Sequence, residues 1–95
     1  MLFQIKHTHS HETCPAIFPD RKAQLVAWWD SLNLSTEVKV VAATAAPLDH
    51  VFNLTLEAEN LEAVVRALSP LNALGTAETN PVVPIAELVS LLASR

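Results

Sequence analysis

Residues 2–9 read LFQIKHTH, and the arrangement of the whole chain follows from how this stretch is placed. Successive side chains of a strand leave opposite faces, so Phe3, Ile5, His7 and His9 share one side and Leu2, Gln4, Lys6 and Thr8 the other. The face that begins apolar therefore ends in imidazoles. The next stretch, ETCPAIFP (12–19), is broken by two prolines and reads as a loop.

From Asp20 the apolar spacing becomes helical. Leu25, Trp28, Trp29 and Leu32 sit at i, i+3, i+4 and i+7, with Asp20 as the expected N-cap and Asn33 as the stop. Trp29 is expected in the core stripe with Leu25 and Leu32, and Trp28 beside it. EVKVVAATA (37–45) reads as a buried strand, PLDH (47–50) as a turn, and VFNLTLEA (51–58) as a strand with Phe52, Leu54 and Leu56 inward. Two strands joined by so short a turn form a hairpin.

Asn60 is the expected cap of a second helix with the stripe Leu61, Val64, Val65 and Leu68, ended by Ser69–Pro70. LNALG (71–75) closes that segment, with Gly75 expected as a left-handed cap. TAETNPVV (76–83) is a last strand, placed at a sheet edge because Pro81 has no ladder donor. Pro84 opens a final helix with Ile85, Leu88, Val89 and Leu92 along one side. The order β-α-β-β-α-β plus a C-terminal helix predicts an α+β, ferredoxin-like domain over 1–95. Its four-stranded antiparallel sheet carries helices on one face.

The bulk properties narrow the function classes. The chain is 51% hydrophobic and 17% charged, more apolar than a small monomer needs, and this predicts a homodimer formed through a sheet face or edge. A net charge of −4 with scattered Lys and Arg offers no basic stripe and argues against nucleic acid. No apolar run approaches the roughly 20 residues that cross a bilayer, so no membrane partner is expected. A single cysteine, Cys14, fits a reducing, cytoplasmic setting as a free thiol or ligand.

LFQIKHTH as first strand, the AWW (27–29) helix end, LEAVVRALSPL (61–71) as second helix and the tail TNPVVPIAELVSLL (79–92) together resemble the dimeric α+β barrel superfamily, in particular uncharacterised bacterial members of domain-of-unknown-function type. The resemblance covers nearly the whole chain and implies two sheets packed face to face across a two-fold axis. The superfamily includes cofactor-free oxygenases, haem-degrading enzymes, isomerases and proteins without known activity. No residue set here maps onto one of their active sites, so the resemblance implies no catalytic residue, and fold does not supply function.

The histidines are the chemistry-bearing feature. In the ferredoxin-like plan the end of strand one and the turn before strand three lie at one edge of the sheet, so His50 is expected near His7 and His9. By parity all three point to the helix-covered face. His11 and Cys14 lie just beyond, in a loop able to fold back, with Glu12 and Asp49 as further carboxylates. His7, His9, His11, Cys14 and His50 are donors suited to a transition metal, Zn, Cu, Ni or Fe. Three functions follow. One is a metal-binding protein or small metalloenzyme. Another is a cofactor-free enzyme or binder of a small molecule, its barrel lined by Gln4, Lys6, Thr8, Asn53 and Thr55. The third is a dimeric scaffold without chemistry.

Overall fold

The computed structural model describes residues 1–10, 13, 14 and 18–94. Eight elements of secondary structure are described, seven of which are labelled here: β1 (Leu2–His9), α1 (Pro19–Leu34), β2 (Val38–Ala46), β3 (Val51–Ala58), α2 (Leu61–Leu68), β4 (Gly75–Val82) and α3 (Ile85–Ala93). A single 3-10 turn, Ser69–Leu71, follows α2. The sheet has the order β2-β3-β1-β4 with antiparallel neighbours throughout, which is the ferredoxin-like arrangement. β4 is an edge strand, as Pro81 requires.

The inner face of the sheet is built as the alternation of β1 demands. Phe3 and Ile5 on β1 and Leu54 and Leu56 on β3 are buried beneath α1 and α2. From α1 come Trp28 and Leu32, and from α2 Ala63, Val64 and Leu68. Asn60 caps α2 as expected, its Oδ1 accepting a hydrogen bond from the Ala63 amide at 2.9 Å. The opposite face carries polar pairs across the strands, Gln4 beside Thr55 and Asn80, and Lys6 beside Asn53 and Glu78.

Several expectations are corrected. Trp28, not Trp29, enters the core: Trp28 is 6% exposed and Trp29 40%. The indole Nε1–H of Trp28 donates to the Ala67 carbonyl at 2.9 Å, which turns α1 so that this ring faces α2. The cap of α1 is Phe18, with Pro19 at the first helical position and Asp20 inside the first turn, where a carboxylate meets the positive end of the helix. On α2, Leu61 and Val65 are exposed, and the smaller Ala63 joins Val64 and Leu68 in the core. β2 lies at an edge with most of its residues exposed rather than buried. Gly75 is the first residue of β4 and has no positive φ. Glycine is needed there because a Cβ would collide with the Thr8 carbonyl of the adjoining strand.

α3 has the expected position but buries none of its residues. The chain has a radius of gyration of 15.0 Å and a long axis of 53 Å. A compact chain of this length has a radius of about 12 Å, and an eight-residue strand spans about 27 Å. The excess fits a terminal helix that buries none of its residues against the rest of the chain.

Candidate metal centre

Three local devices bring the donor residues to one end of the sheet. β1 delivers His7 and His9 on the inner face, 1% and 6% exposed. The β2–β3 turn delivers His50, whose main-chain carbonyl accepts from the His9 amide at 3.0 Å. His50 is the last residue of that turn, immediately before β3, and has φ of 56°. This left-handed conformation costs a side-chain-bearing residue about 1–2 kcal/mol. The loop after β1 delivers Cys14. The Ser10 amide donates to Thr13 Oγ1 at 3.1 Å, the Thr13 amide returns a bond to the Ser10 carbonyl at 3.2 Å, and the Phe18 amide donates to the Cys14 carbonyl at 3.3 Å.

His9, Cys14 and His50 each present a ligand atom, and these atoms all lie within 4.8 Å of one another. Around a tetrahedral ion with bonds of about 2.0–2.3 Å, donors sit roughly 3.5 Å apart. The trio therefore fits an ion after a side-chain adjustment of about 1 Å. The rings of His9 and His50 stand nearly perpendicular, with centroids 5.2 Å apart, and Phe52 packs against His9 at 5.0 Å. His9 is almost fully buried, and its Nδ1 has no hydrogen-bond partner among the described residues. A buried polar atom left in this way ordinarily costs stability unless something else satisfies it.

His7 is placed beside the trio, not in it. Its Nε2–H donates to the Leu71 carbonyl at 3.0 Å, and its ring stacks on Phe52 with centroids 5.7 Å apart. A carbonyl only accepts, so this bond fixes the Nε2-protonated tautomer and leaves Nδ1 with the lone pair. His7 therefore holds Phe52, which in turn holds His9. His11 and Glu12 lie outside the described residues.

Burial lowers the pKa of His7, and the bond to Leu71 partly opposes it. His9 is lowered first by burial, then by the neighbouring His50 and His7. Both rings are held neutral near pH 7, the form that binds metals.

A cleft of about 450 Å³ opens beside the trio, and His9 and Cys14 line it with Leu25, Val26, Pro47 and Phe52. It adjoins a second hollow of about 230 Å³ between α1 and the hairpin, lined by Trp28, Trp29, Ala43, Ala45 and Leu54 among others. Leu25, Ala45 and Phe52 border both. Sequence reasoning missed this groove. Its signal was the run VAATAA (41–46), whose side chains are too small to fill the space beneath two tryptophans.

No family model matches the chain, and no curated protein matches it. Among solved structures, a similar one is that of a protein from Deinococcus radiodurans, provisionally described as an antibiotic biosynthesis monooxygenase. It is 14% identical over 88% of this chain and 94% of that one, with a TM-score of 0.47. At that identity no side chain of the site is carried from one protein to the other.

Proposed function

We propose that this protein binds one transition-metal ion per chain through His9, Cys14 and His50, with His11 as a candidate fourth ligand and His7 as the flanking support. The observation that carries this is the convergence of three donors from three separate segments within 4.8 Å. Two imidazoles and a thiolate favour Zn or Cu, with Ni and Fe as weaker competitors on ligand softness. Where His11 does not bind, three protein ligands leave a coordination position for a small molecule, which the adjoining cleft admits in the single chain. The lone thiol fits a cytoplasmic, reducing setting.

Homodimerisation belongs to the same proposal. Its support is the apolar surface that one chain leaves uncovered, which is concentrated on α3 and not on the polar open face of the sheet. The groove also supports a second reading, a cofactor-free binder of apolar small molecules. The two readings separate in one experiment: purified protein is titrated with Zn²⁺, Cu⁺, Ni²⁺ and Fe²⁺ under reducing conditions. One equivalent bound, and lost in Cys14→Ser and His50→Asn, supports the metal reading. Equal binding by the wild type and both variants sinks it.

A further inference from the structure

Among the described residues the chain carries an apolar helix and an apolar groove that no other element covers, and its own two do not meet. α3 exposes Ile85, Leu88, Val89, Leu91 and Leu92 to between 45% and 79%. The groove between α1 and the β2–β3 hairpin is apolar along most of its length. They lie at opposite corners of the sheet. α3 follows β4, the edge strand farthest from β2. β4 ends where Val82 pairs with Leu2, whereas the groove's Phe52 pairs with His7, five residues along β1. Strand spacing and rise put these points roughly 20 Å apart. The link through Val83 and Pro84 takes three Cα steps from Val82 to Ile85 and spans about 11 Å at most, so α3 begins well short of the groove. The charges match as well: α3 has one charged residue, Glu87, and among the described residues Lys22 is the one Lys or Arg lining the groove.

We propose that two copies of this chain exchange their C-terminal helices, each α3 seating in the groove of the other copy with its Glu87 near the other's Lys22. This rests on the proposed dimer and deepens it by naming the two surfaces. The exchange is reciprocal, so two helices and two grooves are covered at once, as a two-fold interface requires. Because His9 and Cys14 line the same cleft, the partner's helix also closes the metal centre from one side.

Two variants test this without touching the core: Leu88→Lys/Leu92→Lys on the exposed helix, and Ala43→Phe on the exposed strand, which fills the groove. Sedimentation analysis is expected to show a wild-type dimer and, for each variant alone, association weakened at least 100-fold toward monomer. Mixing the variants restores one helix–groove contact, so a heterodimer of intermediate affinity is expected. Trp28 and Trp29, the only tryptophans, line the groove, so their emission shifts to the blue on dimerisation. A wild type that stays monomeric at 100-fold the working concentration overturns the exchange and the dimer together. A dimer that survives Ala43→Phe, or a mixture that forms no heterodimer, overturns the exchange and leaves the dimer standing by another surface. Circular dichroism of each variant guards against loss of fold.

Discussion

Saturating the proposed centre with Zn²⁺ should raise the melting temperature, and the size of the rise follows from linkage. A ligand at 100 times its dissociation constant that binds only the folded chain adds about 2.7 kcal/mol. Unfolding entropy of about 2.1 cal/mol/K per residue gives a chain of this length roughly 0.2 kcal/mol/K, so the midpoint moves up by about 13 °C. Cys14→Ser removes a soft ligand while keeping the shape. Loss of outer partners alone weakens metal sites 10–100-fold, so loss of a direct ligand at the same metal concentration should abolish nearly all of the shift. His50→Asn serves as a second variant because Asn tolerates the left-handed conformation that His50 holds. Its metal-free stability should stay within about 0.5 kcal/mol of wild type while its metal response disappears. The assay is differential scanning calorimetry of metal-free protein with and without Zn²⁺. The reasoning is refuted if Cys14→Ser and His50→Asn gain as many degrees from zinc as the wild type does.

Three further outcomes are expected. His7 and His9 have folded pKa values below 6.5, so the unfolded chain takes up protons first as the pH falls. Metal-free stability should therefore be full above about pH 6.5 and decline below it; His9→Phe should flatten that decline, and a wild-type midpoint unchanged between pH 7.5 and 5 contradicts it. Trp28→Ala should cost about 3–5 kcal/mol in urea unfolding, through a core cavity and the lost bond to Ala67. Trp29→Ala, at a ring 40% exposed, should cost about 1 kcal/mol or less, and equal costs would place the wrong ring in the core. Gly75→Ala should destabilise by about 1–3 kcal/mol, because the added methyl meets the backbone of Thr8; a neutral result would mean that β1 and β4 separate easily.

Much of this fold is legible in the sequence because its strongest signals are local. The parity of β1 places Phe3, Ile5, His7 and His9 on one face, and Pro81 assigns β4 to an edge. What is not legible is rotation. The spacing of Leu25, Trp28, Trp29 and Leu32 permits two helix orientations about 100° apart. The choice between them rests on a single long-range bond from Trp28 to the carbonyl of Ala67, thirty-nine residues away. α2 turns in the same way, so that small Ala63 meets the sheet in place of Leu61. Edge position is equally non-local, since β2 is apolar enough to pass for an interior strand. For the site, topology and parity bring His50 to the end of β1. The entry of Cys14 depends on the Ser10–Thr13 bonds of the loop, and the retreat of His7 depends on the carbonyl of Leu71.

One compositional choice ties the candidate centre to the partner surface. A strand such as β2 would ordinarily fill the space under α1 with branched side chains, as Val38 and Val40 begin to do at its other end. From Ala42 onward it offers Ala and Thr instead, so Trp28 and Trp29 overhang a hollow, and Phe52 and His9 are approached from the side. Filling that hollow with Val or Ile would strengthen the single chain and close both the route to His9 and Cys14 and the seat for a helix. The small residues of β2 thus trade stability of the isolated chain for access. α3 makes the complementary choice, keeping five large apolar residues that stay 45% to 79% exposed on the single chain. Each departure is unfavourable in a monomer, and in the proposed exchange each offsets the other.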